Sequence, residues 1–135
     1  MTELKKNGVG VWLLNPYGQI LMGLRLSKHG FNTWGAPGGK SDLNEHAIDT
    51  AVRETLEETG IHLTPEMLQY IGNTTDVFPY AIYTTAHFRA INITAVPQVT
   101  EKDKCQEWRW FDLHNLPQNI FLPSYNLLRQ KNFTL

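Results

Sequence analysis

The stretch from Gly38 to Ile61, GGKSDLNEHAIDTAVRETLEETGI, constrains this chain more than any other. A glycine pair opens it, and a helical segment follows that carries Arg53, Glu54, Glu57 and Glu58 within two turns. On a helix, residues three and four apart are neighbours, so Glu54 lies beside both Glu57 and Glu58. Like charges about 5 to 6 Å apart repel by roughly 3 kcal/mol at an effective dielectric of about 20, more than surface helix pairs usually contribute. Arg53, four residues before Glu57, covers one side of the cluster but cannot neutralise three carboxylates. A hard divalent cation, Mg²⁺ or Mn²⁺, takes oxygen ligands and would turn the repulsion into binding energy. The competing reading is a solvated acidic helix face, and three glutamates by themselves favour it.

The flanks of the cluster carry their own signals. Asn44 is a good N-cap for a helix from Glu45 to Thr59, and Gly60 suits the position that ends it. Ala47, Ile48, Ala51, Val52 and Leu56 trace an apolar stripe opposite the acidic face, which is what a site on a rigid helix requires. Ahead of the helix, Pro37-Gly38-Gly39 forces a tight turn whose exposed backbone can present a carbonyl oxygen to a metal.

Around this segment the 135 residues fit one domain, residues 1–135, with 41% hydrophobic and 19% charged residues as in soluble globular proteins. A net charge of −1 leaves no global field to recruit a nucleic acid polymer or an acidic membrane, so any polyphosphate must be bound locally. The single cysteine, Cys105, excludes an internal disulfide and reads as a buried, inert thiol. No run approaches the ~18 apolar residues of a membrane span. A cytoplasmic protein, neither exported nor membrane-inserted, is therefore expected.

In chain order, Gly8–Asn15 and QILMGLRL read as two strands joined into a hairpin by the turn Asn15-Pro16-Tyr17-Gly18. EMLQYIGNTTDVF and YAIYTTAHFRAINI supply further strands, the second with Ala81, Tyr83, Thr85 and His87 on one face. His87, a lone histidine in a strand, reads as structural, and the other histidines show no metal-ligand spacing. EWRWFDL is a last strand and SYNLLRQ a C-terminal helix.

Taken together, the central stretch fixes Gly39, five residues, Glu45, seven residues, Arg53-Glu54, two residues, Glu57-Glu58, one residue, Gly60 and apolar Ile61. This spacing resembles the signature of the Nudix hydrolases, which hydrolyse nucleoside diphosphates linked to another group, with the box at residues 39–61. Seven fixed positions at about 6% each match by chance with a probability on the order of 10⁻⁶ or less, which displaces the solvated-face reading. Thr55 departs from the pattern, since the family places an aliphatic residue at that packing position.

The resemblance implies an α+β Nudix fold, an α/β/α sandwich with a mixed central β-sheet. It implies Mg²⁺, with Mn²⁺ as alternative, held by Glu54, Glu57, Glu58 and the Gly38 carbonyl. Arg53 joins these glutamates in the catalytic set by orienting them, Glu57 is the first candidate for the base, and Glu45 supports the loop, with a catalytic role as its lesser alternative. Arg25 matches an arginine that faces the phosphates in members acting on nucleoside triphosphates, Lys40 is a phosphate screen or a solvated lysine, and Trp34 is a packing residue. The run from Asp103 to Trp110 resembles the MutT-like branch, in which an acid five residues before the tryptophan completes the metal shell. Asp103 is the candidate and Glu101 the reserve. Asn119 is a candidate base contact. The implied reaction is hydrolysis of a nucleoside triphosphate, ordinary or modified, to a monophosphate and pyrophosphate. The rivals are a nucleotide sugar or dinucleoside polyphosphate as substrate, and a Nudix domain that only binds nucleotide. A homodimer is compatible with exposed Tyr80 and Tyr83, and core packing accounts for them equally well.

Overall fold

The computed structural model describes residues 4–135. Its first strand, β1 (Lys5–Leu13), shows how the alternation of a strand builds two cores. Val9, Val11 and Leu13 point to one face and join Leu21, Phe88 and Ala90 beneath the helix α1 (Ala47–Thr59). Trp12, and Leu14 just beyond the strand, point to the other face and join Met22, Trp34, Leu127 and Leu128 around α2 (Leu122–Gln130). A sheet with a helix on each face is the expected α/β/α arrangement.

The remaining strands are β2 (Ile20–Arg25), β3 (Trp34–Gly35), β4 (Gly38–Lys40), β5 (Gln69–Phe78), β6 (Ala81–Ala90) and β7 (Cys105–Phe111). They form a mixed four-stranded sheet, β4-β1-β6-β5, and a three-stranded antiparallel sheet, β3-β2-β7. β1 runs parallel to β6 and antiparallel to β4. A parallel pair needs a long crossover, and here the chain between the two strands carries α1 across the sheet. No helix among the described residues is long and apolar enough to cross a membrane.

Three expectations are corrected. β1 and β2 do not form a hairpin. The turn is present, with Asn15 Oδ1 accepting from the Gln19 amide at 2.9 Å, but only Leu14 and Ile20 bridge before the strands part into different sheets. Both edges of β1 are already occupied, by β4 and β6, so β2 pairs with β3 and β7 instead. The helix starts at Ala47 with His46 at its cap, not at Glu45 behind Asn44. Asn44 takes a left-handed conformation (φ 64), which asparagine tolerates, and the Glu45 carboxylate turns back to the Asp42 amide and the Thr50 hydroxyl. Leu56 is 37% exposed at the helix rim, whereas Thr55 is fully buried, so the core stripe runs through Ala51 and Thr55. Gly60 ends the helix as expected, with φ 77 and its amide donating to the Leu56 carbonyl.

Candidate functional site

A cleft of about 180 Å³ lies where the two sheets and α1 meet. Gly8 and Gly10 of β1 and Tyr83 and Thr85 of β6 line it from one sheet, and Arg25 of β2 and Trp108 of β7 from the other. Glu58 enters from α1, and the glycine turn supplies Gly38 and Gly39. Gly38 is sterically required, and Gly39 leaves room for the Glu54 carboxylate. A Cβ on Gly38 would stand 2.0 Å from the Val9 carbonyl oxygen, and one on Gly39 would stand 2.4 Å from the Glu54 carboxylate. The turn is thereby packed directly against the acidic helix.

On that helix Arg53 acts as a clamp. Its Nε donates to Glu45 Oε2 and one terminal nitrogen to Glu54 Oε1, both at 2.9 Å. The same terminal nitrogen lies 3.3 Å from Glu57, and the other donates to the Lys40 carbonyl at 3.2 Å. Hydrogen bonds from Arg53, the Asp42 amide and Thr50 bring the Glu45 carboxyl down to about 2. Glu45 is thus the anchor of the clamp, tying the loop before α1 to its middle turn.

Glu54 and Glu58 lie one helical turn apart on α1, and each carboxyl perturbs the other. Burial pushes Glu58 well above the usual carboxylate range, and the neighbouring Glu54 charge adds to the shift. Burial also raises Glu54. The Gly38 amide donates to Glu58 Oε1 at 3.4 Å, partial compensation for the buried charge. Among the described residues no three His, Cys, Asp or Glu side chains already stand at metal-ligand spacing. Two carboxylates converge, while Glu57 faces Arg53 across a long ion pair and is exposed to solvent. The donor set is all hard oxygen around a pair that holds two negative charges at a cost, and this fits Mg²⁺ or Mn²⁺.

Arg25 shares the cleft with Glu58. Its Nε donates to the His29 carbonyl at 3.0 Å and its guanidinium lies 4.0 Å from the Phe121 ring centroid. Burial lowers its pKa from the ordinary arginine value, opposed chiefly by the charge of Glu58. Lys40 is exposed at the rim. Of the two loop acids, Glu101 lines the cleft and pairs with Lys104 at 3.4 Å, whereas Asp103 is exposed and outside the lining. Asn119 also lies outside it. Its side chain donates to the Asn32 carbonyl and its own carbonyl accepts from the Trp34 amide at 2.8 Å, so it fastens the C-terminal loop to β3.

His87 is 1% exposed and fully engaged. Trp12 Nε1 donates to its Nδ1 at 3.0 Å, which leaves the proton on Nε2 to be donated to Thr74 Oγ1 at 2.9 Å. Cys105 is half-buried with its thiol donating to the Glu107 carbonyl, and burial pushes its pKa up to about 11, so it is inert at neutral pH. One aromatic cluster beside Arg25 went unread in the sequence: His29, Tyr83 and Phe121, which line the cleft, with Phe78 and Tyr80 packed against His29. These residues come from three separate stretches, the loop after β2, the β5–β6 hairpin and the segment before α2, and nothing in the sequence announces that these stretches meet.

Comparison with known proteins places this arrangement. A profile of the NUDIX domain matches residues 4–131. The chain is 26% identical over 131 residues to an RNA pyrophosphohydrolase of Roseobacter denitrificans, covering 83% of this chain and 79% of that protein. It is 37% identical over 76 residues to the m7GpppN-mRNA hydrolase NUDT17 of Danio rerio, covering 53% of this chain and 25% of that one. Among solved structures, a MutT NUDIX hydrolase from Burkholderia pseudomallei superposes with a TM-score of 0.86 at 27% identity, covering 95% of this chain and 98% of that one. The NUDIX domain of Shewanella oneidensis NrtR, solved with ADP ribose, shares the fold at a TM-score of 0.76 and 16% identity, covering 98% and 88%. With the domain matched from residue 4 to residue 131, this chain belongs to the Nudix family, whose hydrolases cleave pyrophosphate bonds.

Proposed function

We propose that this Nudix hydrolase is a Mg²⁺-dependent nucleoside triphosphate diphosphatase that releases a nucleoside monophosphate and pyrophosphate. One observation carries the reading: a single cleft gathers the half-buried Glu58, with Glu54 next to it on α1, the Gly38 backbone and the cation of Arg25. Such a cleft suits a compact polyphosphate, with carboxylates for a divalent ion at one place and a fixed positive charge at another.

Glu54, Glu57, Glu58 and the Gly38 carbonyl would hold the ion, and Glu101 is better placed than Asp103 to add a further carboxylate because it lines the cleft. When bound, a divalent ion supplies charge neutralisation on the phosphates and an activated water. The protein's own groups do the rest. Arg53 keeps Glu54 and Glu57 in register on the helix. Arg25, its plane set by Phe121 and the His29 carbonyl, donates charge-assisted hydrogen bonds to phosphate oxygens. Lys40, at the rim, screens the outer phosphate. The water oxygen joins a phosphorus flanking the α–β anhydride, the bridging oxygen leaves with one product, and a carboxylate accepts the water's proton. Glu57, the most exposed of the three, is the first choice for that base.

Purified protein is incubated with a panel of nucleoside triphosphates, nucleotide sugars, ADP-ribose and 5′-triphosphorylated RNA, with and without Mg²⁺. Turnover of mononucleoside triphosphates is expected to be fastest, and excess EDTA is expected to abolish it. Glu58→Gln and Glu57→Gln are each expected to lower kcat by roughly 10²- to 10⁴-fold. Full rates in EDTA or in either variant reject the reading, and preference for another class on the panel reassigns the substrate.

A further inference from the structure

Beside Arg25 the imidazole of His29 is half-buried among four aromatic rings. It stacks on the Tyr83 ring at 4.4 Å between centroids and 15° between planes. Phe78, Phe121 and Tyr80 meet it edge-on, at 4.6, 5.1 and 5.7 Å. Nδ1 lies 2.5 Å from the Tyr80 hydroxyl. A flat heterocycle thus occupies an aromatic slot with a stacking face and, among the described residues, one side-chain hydrogen bond.

The backbone carrying His29 is tied down independently. Arg25 Nε bonds the His29 carbonyl, and the Asn32 amide and the Thr33 carbonyl bond the Arg25 backbone at 2.8 and 2.9 Å. The side chain has a single polar tie, to Tyr80, so rotation about its own torsions empties the slot without unfolding the loop. The slot adjoins the guanidinium of Arg25, which also contacts Phe121.

We infer that this slot receives the nucleobase of the substrate, and that His29 fills it in the free protein as a side-chain plug that the base displaces; this rests on the function proposed above. The chemistry of the slot selects the ligand class. Lys6 lies over the Tyr83 ring at 5.7 Å and Arg25 over Phe121 at 4.0 Å, so two aromatic faces already serve cations. A further cation is repelled, which argues against a quaternary ammonium ligand and for a neutral planar base attached to an anionic phosphate. Stacking tolerates every base, since each has a π face, so the slot confers affinity for a nucleoside with little selectivity among bases. Tyr80, 54% exposed, supplies the one polar contact, to a ring nitrogen.

The imidazole Cε1–H and Cδ2–H signals of His29 are followed by NMR, assigned by their loss in His29→Gln. They are expected upfield in the free protein, under the Tyr83 ring current, and should move toward values of exposed histidine on saturation with AMP or UMP but not with pyrophosphate. His29→Ala is expected to bind AMP roughly three- to tenfold more tightly, the contacts of the plug no longer competing. Tyr83→Ala is expected to bind it roughly tenfold more weakly, and Tyr83→Phe to retain affinity. Unmoved His29 signals at saturation, weaker binding by His29→Ala, or no nucleotide binding at millimolar concentration overturns the slot. Displacement of His29 by AMP without turnover of any triphosphate sinks the proposed function and leaves the slot standing, whereas turnover with His29 unmoved does the reverse.

Discussion

His87 makes the stability of this fold depend on pH in a way that can be worked through. Its ring is 1% exposed, Nδ1 accepts from Trp12 and Nε2–H donates to Thr74. Protonation would add an N–H that faces the Trp12 N–H, and it would place a charge where water cannot reach. Burial accordingly lowers the pKa to about 4, from 6.5 for a free histidine. A folded-state value below the unfolded one means that the unfolded chain binds the extra proton between these pH values. The stabilising contribution is whole above about pH 6.5, shrinks as pH falls, and is gone below about pH 4. At 1.36 kcal/mol per pH unit, the full effect is about 3 kcal/mol, and about 2 kcal/mol is lost between pH 7.5 and 5.

The test compares the wild type with His87→Gln, whose amide can accept from Trp12 and donate to Thr74 without titrating. Urea unfolding at pH 7.5, 6 and 5 gives the midpoint and slope for each protein. Other groups titrate in this range, among them Asp76, raised by its burial, but they are common to both proteins and cancel in the difference. The wild type is expected to lose about 2 kcal/mol more than the variant on going to pH 5. Parallel pH dependences would refute the reasoning, because they would mean that His87 protonates in the folded state as easily as in the unfolded chain.

Further outcomes follow from single contacts. Thr55 is fully buried and its hydroxyl has no hydrogen-bond partner among the described residues, so Thr55→Val is expected to stabilise the fold by about 1 to 2 kcal/mol, read as a rise in Tm of roughly 3 to 8 °C; a fall would show that the hydroxyl is satisfied. Gly39→Ala drives a methyl group into the Glu54 carboxylate and is expected to lower kcat roughly 100-fold, with circular dichroism showing an intact fold. Arg25→Ala is expected to lower kcat/KM for a triphosphate by roughly 10- to 100-fold, with Arg25→Lys intermediate because lysine keeps the charge but loses the planar fork; an unchanged kcat/KM in the alanine variant removes Arg25 from the phosphate site.

What could be read from the sequence depended on whether a feature was local. The acidic helix was legible because three- and four-residue spacing translates directly into proximity, and Gly60 because a left-handed helix end favours glycine. Asn44 misled because one residue type serves both as a cap and in a left-handed turn, and nothing local distinguishes the two. Leu56 misled because hydrophobicity was used to place the core face, whereas the position facing the core holds a threonine.

The loop acids show where spacing stops being informative. A turn closes on Glu101, whose carbonyl accepts from the amides of both Lys104 and Cys105 at 3.0 Å. Closing that turn keeps Glu101 at its base beside the first residue of β7 and puts Asp103 at its tip. Counting back from the tryptophan cannot see this, because the distance along a chain equals a distance in space only while the chain is extended. The aromatic slot is a stronger case. His29, Phe78, Tyr83 and Phe121 come together only after two sheets and the C-terminal segment have been assembled, so the slot is a property of the topology. The carboxylates Glu54, Glu57 and Glu58 proposed to hold the divalent ion are therefore written within twenty-odd residues of one helix and its turn, whereas the proposed base slot is distributed over the chain and needs the fold to become visible.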